Sequence, residues 1–243
     1  MFLILSGEGA SDIGTKNDEI GPMTKLVDAW IDRQIGYSLI ESSFYTIIPK
    51  KQLTETAKGI KPRSMKGKKQ ESETRYYYKN AQALALLAQL KREELGGDVP
   101  LILVLFRDAD GTASAERGVW QDKWKSMLNG FEAGQIYTGV PMIPKPKSEA
   151  WVLCALRNKY QNCGKLEDES GNDDSPNSLK QQLEEYLGTP GSRMLLNDRI
   201  DVGEIDIDRI NDMPSLTAFK NRLDEVCALT ISFQSLTDRD IKL

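Results

Sequence analysis

The sequence predicts an α/β fold in which parallel central strands are covered by helices on both faces, with a helical tail behind them. Three observations carry that expectation. The run Leu101-Ile102-Leu103-Val104-Leu105-Phe106 is apolar without alternation, as a parallel strand buried on both faces requires. Phe2-Leu3-Ile4-Leu5 repeats the pattern at the start of the chain. Between and beyond these runs, apolar residues recur at helical spacing.

In chain order, the first strand runs into Ser6-Gly7-Glu8-Gly9, which delivers a carboxylate to the surface. Pro22 then opens a helix to about Gln34, with Leu26, Ala29, Trp30 and Arg33 on its spacing. Ser43 to Ile48 reads as a second strand stopped by Pro49, and a polar stretch follows to about Arg75. From Tyr76 to Leu95, the residues Ala81, Leu84, Leu87, Ala88, Leu90 and Leu95 fit a long helix that Gly96-Gly97 ends. The strand 101–106 leads into Arg107-Asp108-Ala109-Asp110-Gly111. Val119, Trp120, Trp124, Met127 and Leu128 mark the buried face of another helix, and 135–142 reads as a short strand. Ile143-Pro144-Lys145-Pro146-Lys147-Ser148-Glu149 is a third polar delivery point, with Ser148 expected as N-cap of a helix through Leu156. Residues 165–177 read as a solvated acidic loop. The remainder reads as helical, first over 179–187 and then from about Ile205, with Phe219, Leu223, Val226 and Leu229 in the second part.

At 243 residues and 40% hydrophobic content, the chain is long enough for one α/β core with a smaller appendage. It has no apolar run of about 18 residues, and its opening Met-Phe-Leu-Ile-Leu is too short for a signal peptide and lacks the basic flank. No membrane is expected. The three cysteines, Cys154, Cys163 and Cys227, lack Cys-x-x-Cys spacing, so neither a disulfide framework nor a thiolate zinc site is expected, and the default setting is a reducing cytoplasm. The chain contains no histidine, which removes the commonest general base, the Ser-His and Cys-His pairs and every His-ligated metal site. Chemistry is left to carboxylates, lysines or a bound metal.

The motifs fit that restriction. In Glu8-Gly-Ala-Ser-Asp12 two carboxylates converge if the glycines turn the chain sharply, whereas the plainer reading has Asp12 capping a helix. Asp108 and Asp110, at alternate positions past a strand end, either share a cation or shape a turn. Together the two strand ends offer acidic oxygens suited to a hard divalent cation, Mg2+ or Mn2+. Lys145, Lys147 and Glu149 read either as a surface connection or as a lysine that neutralises phosphate charge beside a carboxylate that completes the metal's surroundings.

These pieces resemble the Toprim family, the catalytic fold of topoisomerases, primases and overcoming-lysogenization-defect nucleases. The likeness lies in a glutamate after the first strand and Asp-x-Asp after a later apolar strand, over roughly residues 1–160. It implies a Toprim-like sheet with parallel central strands and helices on both faces. It also implies that Glu8 is the family glutamate, that Asp108 and Asp110 are the aspartate pair, and that Asp12 is the additional acid of the nuclease branch. The lysine those nucleases place downstream points to Lys147 or Lys145. Lys147-Ser-Glu149-Ala-Trp151 before an apolar helix is similar to small Toprim-like proteins of bacterial antiviral defence and abortive-infection loci, and Pro214-Ser-Leu-x-x-Phe219 resembles their carboxyl-terminal helix. The resemblance thus implies a toxic effector held by a partner ATPase of ABC or AAA type. That partner must be a separate chain, since no phosphate-binding Gly-x-x-x-x-Gly-Lys-Ser/Thr loop is present. On this division 1–160 is the catalytic core, with a basic loop at 50–79, and 161–243 is an acidic linker and helical extension packed on it.

The basic stretch is the remaining signal. Between Lys50 and Lys79, ten lysines and arginines face three glutamates, and Lys61, Arg63, Lys66, Lys68 and Lys69 are the expected grip on a nucleic-acid backbone. Tyr76, Tyr77 and Tyr78 adjoin it, either to stack on bases or, as the stronger reading, as helix core. The leading expectation is a Mg2+- or Mn2+-dependent nuclease acting on DNA or a structured RNA such as tRNA, with self-association left open. The alternative is a non-catalytic Toprim-like binding or regulatory subunit whose acidic loops dock a partner. A nucleotidyl or small phosphate-ester hydrolase is a third reading, and it needs no basic loop.

Overall fold

A computed structural model describes residues 1–15, 19–60, 76–109, 119–157 and 162–240, with backbone alone at 19 and 234–240. In chain order the elements are β1 (Phe2–Gly7), two short strands β2 (Gly14–Thr15) and β3 (Glu19–Ile20), α1 (Pro22–Ile35), β4 (Tyr45–Ile48), α2 (Lys50–Gly59), α3 (Tyr78–Glu94) and β5 (Leu101–Phe106). They continue with α4 (Trp120–Ala133), β6 (Gly139–Met142), α5 (Ser148–Leu156), a 3-10 turn (Cys163–Asp168), α6 (Leu179–Leu187), α7 (Arg193–Asp201) and α8 (Pro214–Asp240).

Four strands form one sheet in the order β4-β1-β5-β6, and every neighbouring pair is parallel. The fold is the expected α/β architecture. Side chains alternate between the two faces with the period of two that a strand imposes. Leu3, Leu5, Ile102, Val104 and Phe106 join one core with residues of α1, α5, α6, α7 and α8. Phe2, Ile4, Leu101, Leu103 and Leu105 join the other with α2, α3 and α4. Full burial of one such side chain contributes about 1.5–3 kcal/mol. The unbroken apolar runs are therefore the strongest fold signal in the chain.

The C-terminal helices are fastened to the first core by polar contacts as well. Trp30 Nε1 donates to Asp224 Oδ1 at 2.6 Å, and the Lys220 ammonium lies 5.0 Å from the Trp30 ring while donating to the carbonyls of Ile207, Asp208 and Ile210. Trp151, in α5, is fully buried and donates to Ser215 Oγ at 2.9 Å.

Several expectations need correction. Residues 50–59 form a helix within the expected polar stretch, because only Leu53 and Ala57 are buried there and two apolar positions leave no readable period. The same cause hid α7, whose one buried residue is Leu196. Val119 is 63% exposed, outside the buried face of α4, which instead holds Lys123, Ser126, Met127, Gly130 and Phe131. Ala29 and Leu229 are also exposed. Glu167 is not in a solvated loop: its carboxylate is buried and accepts from the Ser215 N–H at 2.8 Å and the Ser215 hydroxyl at 2.7 Å.

A disulfide joins Cys154 of α5 to Cys163 of the 3-10 turn, against the expectation of none. The turn folds back on the helix and brings together two cysteines nine positions apart, a proximity their spacing does not encode. This bridge removes the cysteine-count argument for a reducing compartment. Among the described residues, no helix is long and apolar enough to cross a membrane.

The α3–α4 contact depends on a glycine. A Cβ at Gly130 would strike the Tyr78 carbonyl oxygen and lie 2.7 Å from the Ala81 Cβ. Gly130→Ala is expected to lower stability by about 1–3 kcal/mol, read as a lower urea midpoint at unchanged slope. An unchanged midpoint would contradict so close an approach.

Candidate functional site

The strand order creates the position. From β1 the chain passes to β4 on one side and then crosses to β5 on the other, so the carboxyl ends of β1 and β5 flank a topological switch point. Their register pairs Gly7 with Phe106, and Glu8 and Arg107 therefore leave the sheet as neighbours. Arg107 is buried and donates through Nη1 to the Phe106 carbonyl at 3.1 Å. Burial pulls its guanidinium below the ordinary value, and the charges of Glu8 and Tyr77 oppose that fall. Glu8 Oε1 is buried yet accepts no hydrogen bond among the described residues. A buried oxygen left this way carries a desolvation cost that a ligand would relieve.

Beyond Glu8 the chain doubles back. Gly9 adopts a φ of 79°, and a Cβ there would fall on Asp12 Oδ2, so the turn requires glycine on both counts. The N–H groups of Asp12 and Ile13 both donate to the Gly9 carbonyl at 3.2 Å. The tight turn returns Asp12 toward the start of α5.

Ser148 is the meeting point. Its hydroxyl donates to Asp12 Oδ1 at 2.8 Å and lies 3.4 Å from Glu149 Oε2, and its backbone N–H donates to Asp108 Oδ1 at 3.0 Å. Ser148 was expected as the N-cap, but it is the first residue of α5, the cap position is Lys147, and no side chain of the cap residue bonds the helix. Asp108 supplies an acceptor from across the sheet for an N–H that the helix itself cannot satisfy. One hydroxyl proton serves one carboxylate at a time, which leaves Asp12 and Glu149 in competition for it.

Burial governs the titration of both acids. Burial pushes the Asp12 carboxyl above its ordinary value, against the bonds from Ser148 and Ser11 and the charge of Lys147. Burial likewise raises Glu149, with Asp12 and Asp173 adding to the rise and Lys147 opposing it. The Lys147 ammonium donates to Asp173 Oδ1 at 2.8 Å, and Lys145 to Asp168 Oδ1 at 3.3 Å.

Asp108 and Ala109, just past β5, are held by several contacts. The Ala109 N–H is 3.0 Å from both the Pro144 and the Pro146 carbonyl, the Tyr77 hydroxyl donates to the Asp108 carbonyl at 2.9 Å, and the buried Lys123 donates to the Ala109 carbonyl. These contacts position Asp108 through its backbone. Tyr77 follows the helix-core reading, since it is buried at the start of α3.

Of the residues expected from the sequence, Asp12, Asp108 and Glu149 gather around Ser148, Lys147 adjoins them, and Glu8 stands at the adjacent strand end. Asp110 and the basic residues Lys61, Arg63, Lys66, Lys68 and Lys69 lie outside the described residues. Sequence reasoning passed over the bridging role of Ser148, and over Arg107, Lys123 and Asp173. Lys123 did leave a signal, a charge between Trp120 and Met127 on the apolar stripe of α4. Asp173 left none, because it sits in a segment whose composition is that of a solvated loop.

The donor chemistry of Glu8, Asp12, Asp108 and Glu149 fits a hard cation, and the orphaned Glu8 oxygen supports the fit. Among the described residues, however, no three of these carboxylates bring an oxygen each within 4.8 Å of one another. Asp12 and Glu149 face the Ser148 hydroxyl, Asp108 takes its backbone N–H, and Glu8 stands at the end of β1. The group that does meet that spacing is Cys154, Cys163 and Asp212, where the sulfurs are joined to each other and Asp212 Oδ2 accepts the Cys163 N–H at 2.8 Å. Comparison with protein-family models, curated proteins and solved structures finds no match to this chain.

The raised acids set a pH dependence. The folded chain keeps protons on Asp12 and Glu149 that the unfolded chain releases, so the stability they contribute is full below the ordinary carboxylate range and is lost as pH rises through the raised values. In Glu149→Gln the urea midpoint is expected to fall less than in the wild type between about pH 4 and pH 7. Parallel profiles would mean that Glu149 titrates as an exposed acid does.

Proposed function

We propose that the chain is a Mg2+- or Mn2+-dependent phosphodiesterase of Toprim type that acts on nucleic acid. The observation that carries the reading is the convergence of Asp12, Asp108 and Glu149 on Ser148, beside Glu8 with its buried, unpartnered oxygen. A bound cation would polarise the phosphate and lower the pKa of its water, which suits a chain without histidine. Glu8, Asp12 and Asp108, with Asp110 and Glu149, are the residues that would hold it. The buried Arg107 guanidinium leaves the sheet beside Glu8 and sets a positive charge near it. Lys147 neutralises charge on the phosphate oxygens, while Tyr77 and Lys123 hold the Asp108 backbone still.

The same resemblance carries the finer parts of the proposal. Lys61, Arg63, Lys66, Lys68 and Lys69 grip the backbone of DNA or of a structured RNA such as tRNA. A separate ATPase restrains the protein as the effector of an antiviral defence system, and the setting is the cytoplasm, where the Cys154–Cys163 bridge would meet reductant.

One observation favours the non-catalytic alternative. Asp108 accepts the first N–H of α5 and Lys147 pairs with Asp173, contacts that serve the fold without any ligand. Calorimetric titration with Mn2+ separates the two readings. The wild type is expected to bind, and Glu8→Ala and Asp108→Ala are each expected to weaken binding by at least about tenfold while the fold persists. Unchanged binding in both variants would remove this ligand set and leave the docking reading. For turnover on a nucleic acid, Asp108→Ala is expected to abolish hydrolysis without abolishing binding, whereas the docking reading gives an Asp108→Ala protein that still functions.

A further inference from the structure

Lys147, beside the carboxylates, and Lys145, two positions before it, are both engaged by acids of one short segment. Asp173 takes Lys147 at 2.8 Å and Asp168 takes Lys145 at 3.3 Å. The backbone on either side of Asp168 is anchored. Cys163 is bridged to α5, the buried Glu167 is bound by Ser215, and Glu169 accepts from Gln182 Nε2 at 2.5 Å. Their own side chains are exposed, at 80% for Asp168 and 50% for Asp173. Rotation of the two exposed acid side chains is enough to break the pairs. Ion pairs this exposed are weak enough for a competing anion to displace.

We infer that Asp168 and Asp173 occupy Lys145 and Lys147 in place of two phosphates, so that a nucleic-acid backbone binds this site by displacing them. The inference rests on the phosphodiesterase reading and names the regulation of the same site. A carboxylate presents an ammonium with the charge and the oxygen acceptors that a phosphate would. Displacing one pair gains little, because the second acid still repels the ligand. A polyanion reaching both lysines displaces both at once, and its second contact is intramolecular. The segment therefore selects a phosphodiester chain over a lone phosphate ester. It also places Asp173 within electrostatic reach of Glu149, whose carboxyl it helps to raise.

The test uses a short fluorescein-labelled DNA duplex in EDTA at low salt, with fluorescence anisotropy as the readout and the whole chain as the protein. Asp173→Asn is expected to tighten binding about fivefold, the effect of one released surface ion pair at its upper range. Asp174→Asn removes the same charge from the next residue, an exposed side chain for which no ion pair appears among the described residues, and should change binding by less than about twofold. Adding Lys147→Met to Asp173→Asn should cancel the gain. Equal effects of Asp173→Asn and Asp174→Asn would overturn the inference, since the gain would then be one of net charge alone. A failure of all four proteins to bind the duplex would overturn it too. The Mn2+ titration contains no nucleic acid and scores the phosphodiesterase reading by itself.

Discussion

The parallel pairing of β1 with β5 at the centre of the sheet is the constraint on which the other elements depend. Both strands are buried on both faces, so their N–H and C=O groups have only neighbouring strands to bond with. Apolar side chains on both faces do little to choose a register, since a slip would exchange one apolar set for another. Two small residues end β1 in close contact with its surroundings. Ser6 is fully buried and donates to the Ile48 carbonyl at 2.9 Å, and Gly7 leaves no room for a Cβ, which would lie 2.7 Å from Ile13 and 3.0 Å from Phe106. The pairing of Gly7 with Phe106 brings Glu8 out beside Arg107.

From that junction the molecule is built outward by polar contacts to the backbone. The 143–146 segment after β6 takes the Ala109 N–H, Tyr77 and Lys123 take the carbonyls of Asp108 and Ala109, and Asp108 takes the first N–H of α5. The 143–146 contact joins two neighbouring strand ends, and the other three tie Asp108 and Ala109 to helices of both faces of the sheet. The C-terminal region reaches the same place less directly, through Trp151 and Glu167, which share Ser215 at the start of α8. Ser215 thus joins α8 to the helix that carries Ser148 and Glu149.

The site runs against the electrostatic preference of the fold. Burial raises Asp12 and Glu149, and Glu8 keeps a buried oxygen without a described partner, although side-chain rearrangement or a different residue would relieve each. Such local conflict, held in place by well-bonded surroundings, is characteristic of places where a ligand completes the structure. The lysines show the opposite condition. Lys145 and Lys147 already have acidic partners, so whatever binds there must compete.

The sequence by itself determined the elements whose signal is local. The apolar runs 2–5 and 101–106, the helix opened by Pro22 and the helix from 148 to 156 stand where periodicity and turn residues put them, because burial of a strand or a helix face is written in consecutive residues. Glu8 and Asp108 were legible as candidates because each follows closely on such a run, whereas Asp12, Lys147 and Glu149 were singled out by motif and by likeness to a known family. Tertiary structure alone decided what met what. Ser148 lies 136 positions from Asp12 and 40 from Asp108, and Asp173 reached Lys147 only because a bridged turn carried its segment back over α5. Contacts at those separations depend on strand order and on the path of the chain between layers, which no local pattern of residues records.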